Sequence, residues 1–123
     1  MSSTVITKYS LNGESEGHTF GPWEQEENVT YPEFIGVSIT IPPLTVVNLI
    51  GSGSPKIPSL VTATLVYMRA QTKIHVDITG ADPTTSSPSF AKALLISGGV
   101  ITNIRVLNPL TVSTVLFVAL GGD

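Results

Sequence analysis

The sequence predicts an all-β fold, a single-domain antiparallel sandwich or barrel over residues 1–123 with a long acidic N-terminal loop or arm. It has about eight short strands, the count expected when apolar runs recur between regular turns. Three observations carry this. Apolar runs with a period of two recur along the chain. The 11 glycines and 9 prolines fall between those runs and punctuate them. The last quarter, residues 90–120, holds three β-rich apolar runs separated by turn residues.

In chain order, Val5-Ile6-Thr7-Lys8-Tyr9-Ser10-Leu11 reads as a first strand and Asn12-Gly13 as its turn. Residues 14–28 are polar, acidic and broken by glycine, with Phe20 and Trp23 the only large apolar side chains. A loop or arm over residues 12–30 is expected, and loops of that length in compact domains are commonly functional. From Phe34 the alternation is clean. Ile35, Val37, Ile39 and Ile41 share one face, and Pro42-Pro43 ends the strand because neither can donate to a ladder. Residues 44–50 resume as an apolar strand, and Gly51-Ser52-Gly53-Ser54-Pro55 is a loop. Residues 60–69 form a long strand with a turn expected at Ala70-Gln71. Ile74, Val76 and Ile78 then alternate with Lys73, His75, Asp77 and Thr79.

Residues 80–89 read as an exposed connection. Two readings meet at residues 88–96: a short helix capped by Ser87 with Pro88 in its first turn, or a strand from about Ala91. The strand is preferred, since Gly98-Gly99 would then close a hairpin onto residues 100–107. A terminal strand follows the Asn108-Pro109-Leu110-Thr111 turn, which makes a three-strand meander. One face of that last strand carries Val112, Thr114, Leu116, Val118 and Leu120, and the other carries Val115, Phe117 and Ala119. A strand apolar on both faces needs covering on both.

Composition narrows the function. Charged residues make up 12% of the chain, against roughly 25% in typical soluble domains, and mean hydropathy is positive. No apolar run approaches the roughly 18 residues a membrane helix needs. The first eight residues lack the basic and apolar regions of an export signal. The apolar excess is therefore expected to be buried between subunits, with no membrane partner. Residues 1–33 hold six glutamates against Lys8 alone, while the remainder holds five cations against three aspartates. That balance lacks the clustered basic footprint of a nucleic-acid binder. The acidic segment could instead dock on its own body or on a neighbour's.

Chemical signatures are sparse. Cys is 0, so no disulfide or thiolate zinc site exists. His18 lies near Glu14, Glu16 and Glu24, but no ligand pair has a fixed spacing on an element, and no metal or other cofactor is expected. His75 and Asp77 share a strand face and could imitate part of a hydrolytic triad, yet no Gly-x-Ser-x-Gly elbow accompanies them. Gly51-x-Gly53 lacks the downstream Lys-Ser/Thr of a phosphate loop. Asn28-Val29-Thr30 matches a glycosylation sequon and reads as chance in a chain without an export signal. The expected protein is not an enzyme. Phe20, Trp23, Tyr31, Val115 and Phe117 are the expected partner-contacting residues.

The segment Ser97-Gly98-Gly99-Val100-Ile101-Thr102-Asn103-Ile104-Arg105-Val106-Leu107-Asn108-Pro109, a Thr/Ser-rich turn and the strand Val115-Leu116-Phe117-Val118-Ala119-Leu120-Gly121-Gly122 resemble the carboxyl-terminal hairpins of small β-rich virion proteins of tailed bacteriophages. The resemblance implies an accessory structural protein of the virion: head decoration, cement, or a tail component. It implies a symmetric homo-oligomer, trimer favoured over dimer, seated on a major capsid or tail protein, and it carries over no catalytic residue. The alternative is a monomeric β-sandwich module that binds a carbohydrate or a protein through the aromatic residues Trp23, Tyr31 and Phe34.

Overall fold

The computed structural model describes residues 2–123, the side chains of residues 11–15 and 18–23 excepted. The described chain is all β, with eight strands: β1 (Ser3–Ser15), β2 (His18–Tyr31), β3 (Glu33–Ile41), β4 (Val46–Ile50), β5 (Ala63–Asp77), β6 (Ser89–Ile101), β7 (Ile104–Leu107) and β8 (Thr114–Gly122). β1 and β2 form a two-stranded antiparallel ribbon. The other six strands form one antiparallel sheet that curls into a half-barrel.

The expected loop over residues 12–30 is instead the distal part of the β1–β2 hairpin. The chain reverses at Glu16-Gly17, where φ is 52° and 79°, the left-handed pair that a tight two-residue hairpin requires. Asn12-Gly13 does not make the turn; the register slips between Leu11 and Gly13, so the pair sits in a bulge. The ladder is held by polar cross-strand pairs. Thr4 and Thr30 share a hydroxyl hydrogen bond of 3.0 Å, Lys8 lies opposite Glu26, and the Tyr9 hydroxyl donates to Glu27 at 3.4 Å. Such pairs stabilise a ribbon without apolar alternation, and a search for alternation passes over them.

β5 organises the sheet. On one edge it pairs with β6; on the other it pairs first with β8, over residues 63–70, and then with β7, over residues 75–77. β3 extends the sheet beyond β8, and β4 extends it beyond β7. The turn expected at Ala70-Gln71 is therefore a bend inside one continuous strand, where the register with β6 shifts between Ala70 and Ile74. No Gly, Pro, Asn or Asp stands at residues 70–73 to reverse the chain. At this bend Thr72 and Thr114 join their hydroxyls at 2.6 Å, tying β5 to the first residue of β8.

The expected meander does not form. β6, β7 and β8 each pair with β5 and not with one another. β6 is a strand, as preferred over the helix, but it runs through Gly98-Gly99 to Ile101. Between Ala63 and Leu65 the register advances two residues on β5 and four on β6, and Gly98, at φ 97°, absorbs the excess.

Even-numbered residues of β5 and β8 point into the curl. Val66, Met68, Ile74 and Val76 meet Leu116, Val118 and Leu120, with Val47 and Leu49 of β4 and Ile104 and Val106 of β7 closing the core. Each such side chain stabilises the fold by about 1.5–3 kcal/mol relative to exposure. Where the half-barrel stays open, Ile35, Val37 and Ile39 of edge strand β3 and Leu94 and Ile96 of β6 are half-buried.

Asn108, fully buried, locks one end. Its amide nitrogen faces the carbonyls of Ile41 at 3.1 Å, Pro42 at 3.2 Å and Val112 at 2.8 Å, and its side-chain oxygen accepts from the Leu110 N–H at 3.0 Å. The backbone N–H of Asn108 donates to the Thr45 carbonyl at 3.1 Å. One side chain thus joins the end of β3 to the β7–β8 connection. At the other end the Asp123 carbonyl accepts from the N–H groups of Val61 and Thr62, and a Cβ on Gly122 would run into the Thr62 backbone.

Asn108→Ala should lower the unfolding free energy by about 2–4 kcal/mol in urea titration, since it strands several buried polar groups. Gly122→Ala should cost about 1–3 kcal/mol by overpacking. A wild-type midpoint for either variant contradicts this account.

Candidate assembly interface

β8 has two faces with different fates. Leu116, Val118 and Leu120 are wholly buried in the curl. On the other face Val115 is 57% exposed and Phe117 half-buried, while Ala119 is covered. The chain covers its terminal strand once, where the sequence asks for two covers.

Register assembles the rest of that outer face. Phe117 lies between Ser38 of β3 and Arg69 of β5; Ala119 lies between Gly36 and Tyr67, and Tyr67 in turn faces Leu95 of β6. Gly36 leaves room over β3, and the Phe117 ring lies ordinary van der Waals distance from where its Cβ would be. The Tyr67 and Phe117 rings meet edge to face, centroids 6.4 Å apart. The Arg69 guanidinium sits 5.4 Å from the Phe117 ring centroid, a cation–π contact. Phe34, 37% exposed, and Leu95, 38% exposed, extend the patch to either side. Two adjoining hollows share Arg69, Ala70 and Gln71: one continues to Val115 and Phe117, the other to Lys92 and Ala93. The result is an apolar, aromatic surface with a guanidinium near its centre.

Tyr31, expected among the partner-contacting residues, is 7% exposed and used within the chain. Its ring lies over Gly121, where a Cβ would come within 2.8 Å of it. This contact seats the base of the β1–β2 hairpin on the edge of the same outer face. Burial, then the nearby Glu27 carboxylate and Tyr9, push the Tyr31 phenol above its ordinary range. The side chains of Phe20 and Trp23 lie outside the described residues; the backbone register sets Phe20 opposite Gly13 and Trp23 opposite Leu11. Of the expected contact residues the structure brings Val115 and Phe117 together. Tyr67, Arg69 and Leu95, absent from the expected set, and Phe34, expected only in the alternative aromatic platform, complete the surface. Their signal was present as the off-face residues of strands whose other face is core, but their adjacency depends on strand order.

The other candidate chemistry resolves into local structure. His75 is buried, and its Nδ1 donates to the Ser87 carbonyl at 2.9 Å, which fixes the proton on that nitrogen. Asp77 accepts instead from the Thr79 N–H at 2.8 Å and hydroxyl at 2.7 Å. The Thr79 hydroxyl, followed by its N–H, holds the Asp77 carboxyl below the usual carboxylate range. The two side chains therefore serve separate turns and do not form a relay. The side chains of Glu14 and His18 lie outside the described residues. Among the described residues no group of three or more His, Asp or Glu could hold a metal ion, and no helix is long and apolar enough to cross a membrane. The glycine loop after β4 is shaped by its own contacts: Asn48 donates to the Ser52 carbonyl at 2.8 Å, and Gly51 leaves space filled by Asn103. Arg105 reaches over from β7 to pair with Asp82 at 2.6 Å.

Comparison with protein-family models, with curated proteins and with solved structures finds no match to this chain.

A phenol whose folded pKa is raised stabilises the fold below its unfolded pKa and loses that contribution as pH rises through and beyond it. The unfolding free energy should therefore fall as pH passes about 10, the ordinary tyrosine value, and Tyr31→Phe should flatten that alkaline limb. Identical alkaline limbs in urea titrations of the two proteins would contradict the seating of Tyr31.

Proposed function

We propose that the chain is a non-enzymatic structural subunit that self-associates through the outer face of the β3-β8-β5-β6 layer. The observation that carries this reading is the partly uncovered second face of β8, where Val115 is exposed and Phe117 half-buried, with Phe34, Tyr67 and Leu95 on the same outer face. Fully burying a side chain of this size is worth about 1.5–3 kcal/mol; with Phe34, Leu95 and Val115 37–57% exposed, covering the face regains roughly half of that for each, a sizeable share of the stability of a small domain. A closed symmetric assembly covers such a face with copies of itself. Tyr and Phe beside one Arg are also the residue types that concentrate binding energy at protein interfaces.

The sequence resemblance of residues 97–122 to tailed-phage virion proteins points to a narrower form of the proposal, although β6, β7 and β8 pair with β5 and not as the hairpins that the resemblance implies. In that form the subunit is an accessory protein of the particle, a head decoration or cement protein, trimeric, held on a major capsid or tail protein. A decoration protein needs no pocket and no catalytic group, only complementary surfaces and a stable scaffold. The half-barrel and its outer face supply both.

Light scattering at micromolar concentration should report a closed multiple of 12.9 kDa, threefold for the trimer. Val115→Asp, placed on an exposed site, should return the chain to a single subunit with unchanged far-UV circular dichroism. A wild-type chain that stays at 12.9 kDa across that range overturns the proposal.

A further inference from the structure

The β1–β2 hairpin carries five glutamates, Glu14, Glu16, Glu24, Glu26 and Glu27, against Lys8. The remaining strands and loops carry five cations against Glu33 and three aspartates. Beyond its base at Tyr31, the described residues of the hairpin pack substantially only on one another. Residues 24–30 are all exposed, with Ile6 at 56% and Val29 at 38%. An isolated two-stranded ribbon is marginally stable in water, so a hairpin of this length gains by finding a surface. The reach is large: the 13 residues of β1 span about 40 Å at the usual strand rise.

The outer face offers what this hairpin lacks. Arg69 lies near its centre and Lys92 lines the adjoining hollow. Arg69 has its cation–π contact with Phe117 and, among the described residues, no carboxylate partner. Among the described residues only Tyr31, over Gly121, brings the hairpin onto that face, since Val115 and residues 24–30 are exposed together. The opposite charges therefore meet when the hairpin comes from another copy.

We infer that the acidic β1–β2 hairpin of one subunit docks across the outer β3-β8-β5-β6 face of a second copy, with Glu24 and Glu26 set against Arg69 and Lys92. The register places Ser10 opposite Glu24, Lys8 opposite Glu26 and Ile6 opposite Asn28. Glu24, Glu26, Lys8 and Ile6 thus fall on one side of the ribbon, so that side presents two carboxylates against one ammonium, with an aliphatic group beside them, to an apolar, cationic surface. This inference rests on the self-association proposed above and names its contact: head-to-tail, hairpin to face. Such a heterologous contact closes into a ring when the rotation per step allows, which is compatible with the threefold form.

The test is a charge swap in the full-length chain, with mass followed by light scattering and fold by circular dichroism. Glu24→Lys/Glu26→Lys and Arg69→Glu/Lys92→Glu alter exposed side chains, so both should fold. Each should weaken self-association about tenfold or more, because like charges then face each other. The chain carrying all four substitutions should recover it. Wild-type association should also weaken as salt is raised from about 0.05 M to 0.5 M, where screening becomes short-ranged. Assembly that persists unchanged in both reversed variants, or loss that the four-fold variant does not restore, overturns the hairpin contact while leaving self-association standing. A wild-type chain that is monomeric throughout removes both.

The absence of cysteine permits a second readout that does not depend on charge. Copies with Glu26→Cys mixed with copies carrying Ser38→Cys should form a disulfide-linked pair under mild oxidation. Crosslinking only within a chain carrying both substitutions, and none between copies, would place the hairpin on its own body and overturn the inference.

Discussion

The fold depends on one constraint: β5 must change partner along its length. Over its first half it is bonded to β8, over its last residues to β7, while β6 stays on the opposite edge throughout. Two neighbours cannot occupy one edge of a flat sheet unless they diverge. The bend between Ala70 and Ile74 supplies the divergence, and the sheet on either side of it curls toward itself. Ile74 and Val76 are thereby brought over Leu116 and Val118, and one strand contributes to both walls of the same core. A bulge increases local twist and re-aims the strand, so a register slip of this kind is how a single sheet comes to enclose a core without a second sheet.

The same curl creates the surface on which the functional proposal stands. Curling covers the inner faces of β5 and β8 and leaves the outer faces to solvent. In most antiparallel layers the outer face is polar. Here the outer positions of β8 are Val115, Phe117 and Ala119, and those of β5 include Leu65 and Tyr67. Leu65 and Ala119 are buried, and Tyr31 covers Gly121 at the hairpin's base. Toward Val115 there is no such cover, and Phe34 beside Gly121 and Leu95 beside Tyr67 widen the apolar area on the flanking strands. The proposed interface thus begins where the chain's own covering stops.

The hairpin and the half-barrel obey different rules. The half-barrel is held by apolar burial and by a few pins, of which Asn108 joins the most segments. The hairpin is held by backbone ladder bonds and polar cross-strand pairs, and the described acidic side chains Glu16, Glu24, Glu26 and Glu27 are exposed. An element so charged and so little packed contributes little to the stability of its own subunit. Its proposed role lies between subunits, where its carboxylates would find the Arg69 guanidinium, which stacks on Phe117 and among the described residues has no carboxylate partner. That division of labour explains how the acidic excess is confined to the one element that does not share the core.

The sequence by itself determined the class of fold, where β3 and β4 stop, and the inward face of β8. These follow from local facts: alternation sets which side chains share a face, and proline and glycine forbid or permit particular backbone angles. It also determined that β8 is apolar on its second face, where Val115 and Phe117 lie. Which strands become neighbours was decided only in the tertiary structure, because hydrogen-bonding groups are alike in every strand and carry no label for their partner. Hence residues 90–120 read as a meander, whereas β5 takes all three of those strands, and the polar ladder of residues 12–30 read as a loop. Arg69, Phe117 and Leu95 are far apart in the chain, and they share one surface only because β8 and β6 flank β5.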